Sequence, residues 1–414
     1  MKIKSIKINN LESPKKFYDI TVDKHHNFVI GRKSKIVTHN SSLNGAIITM
    51  AQSFKNSMPV LQSIGQYGSL RSPEAGAPRY VSTKLHENFR QIYMDFELLT
   101  PTYDEGDEIE PEYFLPIIPT VLLNGSSGIA VGFATNILNR NPIVLIDCCL
   151  KELTGKRFNE PVPWYNGYNG VVHKDTASGS WIFSGRWNAK NTTTVDISEL
   201  PPSMTYEKYD TYLSNKEDLR AITSYANRGK GSIDYEVKFS RSELARLTTS
   251  DRLTRLLKME EKQSENLTVL DENKKLKIFK SASEIIKYFV AFRLKYYDKR
   301  KIHLIEKLNR ELLMLTNRAR FIKDIIDRKL KINNVPKRTI VLYLETADYD
   351  EVDRSYNYLL YMPIHSLTKE RYEEILSEVG DKKVELVATK KLKPATMYET
   401  DLKDLRSALI KKYK

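Results

Sequence analysis

The chain has little cysteine and no long apolar runs. Its two cysteines, Cys148 and Cys149, are neighbours in an apolar stretch, which offers neither a disulfide framework nor a zinc-ligand spacing. That usage fits a reducing compartment. No apolar run reaches the roughly 20 residues that a membrane-spanning helix needs, and Met1 is not followed by a secretory signal pattern. A soluble intracellular protein without a membrane partner is therefore expected. Glycine-rich nucleotide loops, internal repeats and long low-complexity tracts are also missing.

What the chain has is charge. Lys and Arg number 66 against 52 Asp and Glu, a net +14 over 414 residues. Excess positive charge attracts polyanions by releasing their counterions, so nucleic acid is the leading partner class. Charge alone does not separate that reading from a merely soluble basic protein. The length allows two or more domains.

Patterning changes along the chain. Residues 1–40 read as β-hairpins, with alternating runs at Phe17-Tyr18-Asp19-Ile20-Thr21-Val22 and Asn27-Phe28-Val29-Ile30. From Ser42 an apolar helical stripe begins, through Leu43, Ala46, Ile47, Met50, Ala51 and Phe54. A Gly, Ser and Pro loop from Gly65 to Pro78 leads into an extended Arg79-Tyr80-Val81-Ser82. Residues 160–275 mix short strands and helices. From about Ser283 a long charged helix carries Leu308, Leu312, Leu315, Ala319, Ile322 and Ile326 at coiled-coil spacing. Asn333-Asn334-Val335-Pro336 breaks it; a small helical region follows, and the tail is helical again. The fold class expected is α+β and multidomain.

Two motifs stand out. One is Gly65-Gln66-Tyr67-Gly68-Ser69 followed by Pro78-Arg79-Tyr80; the other runs from Pro116-Ile117-Ile118-Pro119 through Asn124-Gly125 to Ser127-Gly128-Ile129-Ala130. A tyrosine that cuts DNA needs a phenol to attack the phosphodiester, a cation for the crowded phosphoryl oxygens and usually metal ions for the departing oxygen. An isolated Arg-Tyr dipeptide is structural far more often than catalytic. On a strand the two side chains would also point to opposite faces, so a local bend is needed.

Together these motifs resemble the DNA breakage-reunion subunit of type II topoisomerases, nearest to bacteriophage members of that family. The resemblance runs from about residue 41 to the C-terminus. It implies Tyr80 as nucleophile, Arg79 as its phosphate-stabilising neighbour, and Ile129 as a wedge between base pairs of bent duplex DNA. It implies a winged-helix part at 41–95, a tower domain at 96–282 and a coiled-coil arm with a dimerisation gate at 283–414. Asp107 to Pro119 resembles the stretch entering the tower, and Ser198-Glu199-Leu200-Pro201-Pro202 a tower motif without assigned chemistry. The acidic run Asp104 to Glu112 reads as a solvated loop, so no metal site is expected on this chain. Mg2+ and ATP are assigned to a large partner subunit that binds metal and hydrolyses ATP, and the chain itself to a homodimer on double-stranded DNA. Arg293, Lys295, Lys299, Arg300 and Lys301 fit a solvated helix face and a DNA contact equally well.

Residues 1–40 resemble a different family, the C-terminal part of an intein. Asp19 and His26 match one of its motifs, and Val37-Thr38-His39-Asn40 with Ser41 match its end. The resemblance implies that Asn40 cyclises and cuts the chain, Ser41 accepts the upstream segment and His39 assists. The chain then reads as the C-terminal precursor of a split-intein pair. Its partner would carry the missing intein half and an N-terminal topoisomerase segment; a piece of one longer reading frame is the other possibility. Two further functional readings stand beside the cleavage subunit. One is a non-cleaving basic dimer with an incomplete winged helix. The other is a tyrosine recombinase, disfavoured because no arginine and histidine cluster surrounds the tyrosine. A cytoplasmic location, that of a bacterial host for a phage gene, is expected.

Overall fold

The computed structural model describes residues 3–9, 17–22, 27–30, 36–130, 132–229, 231–249 and 252–410, with side chains from 43 onward. It divides into two compact units. The first takes residues up to Val290 and the stretch from Leu402; the second is Ala291–Asp401.

The first unit opens with two antiparallel hairpins, Ile3–Asn9 with Phe17–Val22 and Asn27–Ile30 with Ile36–His39. The second runs directly into the helix Asn40–Ala51. That helix lies where the apolar stripe predicts it, but the stripe is buried only at its end. Ala51 and Phe54 are buried, whereas Leu43 is 58% and Met50 41% exposed.

Next, Leu61–Ile64 pairs antiparallel with Ser82–Leu85, so residues 65–81 form one loop closed by a small ribbon. Glu87–Ile92 is a short helix whose first turn is capped by His86, Nδ1 accepting from the Asn88 N–H at 3.0 Å. The Pro116–Pro119 motif then supplies a hydrophobic floor, with Ile117, Ile118, Leu122 and Leu123 all buried. A two-stranded ribbon rises from it, Ser126–Ala130 against Phe133–Ile137. The helix Pro142–Leu153 follows, begun by Asn141, whose Oδ1 accepts from the N–H groups of Ile143 and Val144. It buries Leu145, Ile146, Cys148 and Cys149.

A four-stranded antiparallel sheet makes a large core in this unit. Its order is Arg186–Ala189, Thr194–Glu199, Tyr235–Lys238, Ser224–Asn227. Alternation along Tyr235–Lys238 turns Tyr235 and Val237 inward. They meet Val195 and Ile197 from the next strand and Tyr209 and Leu213 from the helix Tyr206–Asp218. A three-stranded antiparallel sheet joins Val171–Lys174, Trp181–Ser184 and Glu260–Gln263, with Trp181–Ser184 in the middle.

The second unit is helical. The long helix Ala282–Ile326 packs its heptad-spaced positions against Lys369–Lys391, Ala319 and Ile322 meeting Ile375 and Val379. Lys382 pairs with Glu311, and Tyr297 stacks on Tyr398 at 4.6 Å. Rising numbers on one helix meet falling numbers on the other, so the pair is antiparallel. Ile326, the last seam position, is 40% exposed. Two of the five basic residues near the helix start fit neither expected role. Arg293 is fully buried with its guanidinium over the Tyr297 ring, and Arg300 pairs with Asp401. Among the described residues no helix is long and apolar enough to cross a membrane.

Candidate functional site

Tyr80 ends a single 3-10 turn, Pro78–Tyr80, closed by its N–H donating to the Ala77 carbonyl at 2.8 Å. The extended backbone expected from Arg79 onward begins only at Val81, and the strand at Ser82. Pro78 explains the difference, because its fixed φ suits the first position of such a turn. The consequence is chemical. A 3-10 turn advances about 120° per residue rather than the half-turn of a strand, so neighbouring side chains need not oppose each other. The Arg79 guanidinium lies 4.8 Å from the Tyr80 ring centroid. The bend that the Arg-Tyr pair requires is therefore present, and Tyr80 is 73% exposed.

The loop behind the tyrosine is tied down at several points. Gln52, 2% exposed, donates Nε2 to the carbonyls of Tyr67 at 2.8 Å and Pro73 at 3.1 Å. The Tyr67 hydroxyl donates to the Ser82 carbonyl at 2.8 Å, just past the catalytic candidate. Gly68 has φ +80°, and a Cβ there would meet the Pro73 backbone at 2.8 Å. Arg71 is buried and paired with Glu199. Of these residues, sequence reading singled out the Gly-Gln-Tyr-Gly-Ser motif but gave no role to Gln52, Arg71 or Glu199. One signal was available: Arg71 is the one cation between Gly65 and Pro78.

Ile129 stands on the two-stranded ribbon, opposite Ala134, and is 95% exposed. It is not a core residue of this chain. The ribbon's foot is built of hydrogen-bonded polar groups, of which Arg140 is fully buried. Asn124 pairs both amide atoms with the Met58 backbone at 2.9 Å, and Asn136 and Asn266 exchange backbone hydrogen bonds at 2.9 Å. Fully buried Arg140 donates to Glu265 Oε2 at 2.8 Å, and Trp181 Nε1 donates to the same oxygen at 2.8 Å. Leu138 N–H donates to the other oxygen, so the carboxylate also holds the end of the ribbon. Beside the exposed tip an apolar hollow of about 690 Å³ is lined by Phe133, Leu270, Leu276, Phe279 and Tyr288.

A second hollow of about 500 Å³, with polar groups scattered over a largely apolar lining, is bounded by the loop, the ribbon foot and the segment 202–208. Lys55, Asn56, Ser127, Ser203 and Lys208 line it. Such a mixture of ammonium, hydroxyl and amide groups suits phosphate oxygens. The acidic run folds as an exposed hairpin, Thr102–Asp104 with Asp107–Ile109, turning at Glu105 and Gly106. Among the described residues no group of three or more His, Cys, Asp or Glu could hold a metal ion. Burial pushes the Cys148 thiol up to about 11 and Cys149 higher still, so neither is a ready nucleophile. Of the splicing candidates, His26 lies outside the described residues, as do the side chains of Asp19, His39, Asn40 and Ser41.

A family model for the A subunits of DNA gyrase/topoisomerase IV matches residues 37–405, and the chain belongs to that family. Among individual relatives, the DNA topoisomerase 2 of Plasmodium falciparum is 30% identical over 414 residues, covering 89% of this chain and 30% of that protein. The mitochondrial DNA topoisomerase 2 of Dictyostelium discoideum is 29% identical over 391 residues, again 89% of this chain and 30% of its own length. The chain thus spans about 30% of the length of these relatives. The crystal structure of the Plasmodium falciparum topoisomerase II DNA-binding, cleavage and re-ligation domain superposes with a TM-score of 0.81 at 28% identity. It covers 92% of this chain and 56% of that one. The mixed α+β fold matches that domain. The family match begins at 37, close to the Ser41 start expected from the motifs.

Proposed function

We propose that this chain is the DNA cleavage and religation part of an ATP-dependent type II topoisomerase, with Tyr80 as its nucleophile. The observation that carries the reading is the Pro78–Tyr80 turn, which sets an exposed phenol beside the Arg79 guanidinium. In the proposed step the Tyr80 oxygen attacks a backbone phosphorus and loses its proton, while the 3′ oxygen leaves and gains one. The product is a 5′-phosphotyrosyl ester and a free 3′ hydroxyl, and the reverse attack reseals the strand. Arg79 neutralises charge that gathers on the phosphoryl oxygens. Lys55 and Lys208, at the second hollow, receive neighbouring phosphates, and Ile129 enters a base step to bend the duplex. Following the family resemblance, Mg2+ and ATP are assigned to a partner subunit rather than to this chain.

The same reading takes 41–95 as part of a winged helix, 96–282 as the tower and 283–414 as a coiled-coil arm and gate of a homodimer, in a phage-type enzyme. Residues 1–40 are removed by trans-splicing through Asn40 and Ser41, assisted by His39, with His26 and Asp19. The two antiparallel hairpins at the start of the chain support that assignment. Asn40→Ala should block release of the 1–40 fragment when the chain is co-expressed with an N-terminal intein partner; unchanged product size refutes it. For the cleavage reading, Tyr80→Phe in the assembled enzyme should abolish covalent protein-DNA adducts and leave DNA binding intact. Persisting adducts would overturn the nucleophile. Wild-type enzyme that binds and bends DNA without ever forming an adduct would favour the non-cleaving module.

A further inference from the structure

The Ser198-Glu199-Leu200-Pro201-Pro202 motif and the lone arginine of the tyrosine loop meet in one buried contact. Arg71 is 8% exposed. Its NH1 donates to the carbonyls of Pro201 and Met204, each at 2.7 Å. Its NH2 donates to the Leu200 carbonyl at 2.6 Å and to Glu199 Oε1 at 2.5 Å. The Arg71 carbonyl in turn accepts from the Tyr206 N–H at 3.0 Å. Glu199, 4% exposed, is also satisfied on its other side, where Oε2 accepts from the Asn169 N–H at 2.9 Å.

The residue types explain the arrangement. Pro201 and Pro202 have no N–H, so this segment cannot continue the sheet ladder of Thr194–Glu199 and its carbonyls need an outside donor. A planar guanidinium reaches four acceptors at once, whereas an ammonium offers three donors from a single atom. Other hydrogen bonds of the loop run to the Ser82 carbonyl of its own ribbon and to Gln52 on the preceding segment, and Leu70 packs against Leu138, Tyr168, Trp181 and Phe183. The Arg71 contact is what reaches the four-stranded sheet and the helix Tyr206–Asp218.

We infer that Arg71 and Glu199 are positioning residues for the nucleophile, fastening the loop that carries Tyr80 to the four-stranded sheet. A shift of that sheet is thereby transmitted to the tyrosine. The inference rests on Tyr80 being the nucleophile. A buried ion pair is often no more stabilising than well-packed apolar residues, and one attested use of such pairs is to fix a single geometry. In-line attack on phosphorus is sensitive to that geometry, since a misplacement of about 1 Å can cost about 100-fold in rate.

The test uses Arg71→Lys, which keeps a charge for Glu199 but loses the fork, and Glu199→Gln as a milder second variant. In the assembled enzyme the rate of adduct formation should fall by about 100-fold for Arg71→Lys, and less for Glu199→Gln, with DNA affinity unchanged. In the full chain, hydrogen exchange should quicken at the Ser69, Ser72, Gly76 and Tyr80 amides, which are bonded within the loop. Amides of Thr194–Glu199 and Tyr235–Lys238 should keep their protection. Wild-type adduct rates in both variants overturn the inference, as does exchange that quickens equally through the sheet. Adducts formed by Tyr80→Phe would instead sink the nucleophile, a result that the exchange data do not depend on.

Discussion

The tyrosine loop and the ribbon that bears Ile129 both present one exposed side chain, yet they are held differently. The loop is fastened through residues 67–73, by Gln52 to the Tyr67 and Pro73 carbonyls, by the Tyr67 hydroxyl and by Arg71, with Gly68 in a close turn between them. The ribbon is fastened at its base, by Asn124, Asn136, Arg140 and Glu265, and every residue of Ser126–Ala130 is exposed. The difference matches two tasks. A nucleophile works only within a narrow range of approach. A wedge must stand clear of its own protein and adapt to the base step it enters.

The fastenings should be the most sensitive parts. Arg140→Ala leaves Glu265 buried without its cation and removes the bond that holds Pro161, at a distance of 2.7 Å. A loss of about 3–5 kcal/mol is expected, read as a lowered midpoint in denaturant. A change below that of a surface substitution would mean that the ribbon's foot is not built on this pair. Next comes Gly68→Ala. Its φ of +80° and the 2.8 Å approach to the Pro73 backbone leave no room for a methyl group. More than about 1 kcal/mol should be lost, together with protection of the loop amides. Tyr67→Phe removes only the hydroxyl bond to the Ser82 carbonyl, and about 1 kcal/mol is expected. If the loop needs that hydroxyl for position, adduct formation should suffer more than stability does.

Much of the fold was legible because it is periodic. The heptad spacing from Leu312 to Ile322 marks where the long helix packs on Lys369–Lys391. Gly68 and Gly125, both inside the quoted motifs, have positive φ. The candidate site was legible through short motifs that keep their own order along the chain. What escaped reading is what joins distant segments. Arg71 and Glu199 are 128 positions apart, and nothing local in either segment names the other. Arg293 misled in the opposite direction, since a basic residue on a charged helix looks solvated until an aromatic ring covers it. The stripe starting at Leu43 was real as a helix signal, but periodicity reports a face and not what covers it.

The smallest structural effect belongs to Ile129→Ala, and this makes it the sharpest test of the contrast. With the side chain 95% exposed, little buried area is at stake, and stability should change by less than about 0.5 kcal/mol. If the isoleucine is a wedge, the variant should still bind duplex DNA through the basic groups around Lys55 and Lys208, but bend it less in an energy-transfer assay with labelled ends. Unchanged bending would remove the wedge while leaving the tyrosine untouched. A large fall in stability would mean that the tip folds back into the neighbouring apolar hollow, beside Phe133 and Leu270, and that the ribbon is a packed element like the loop.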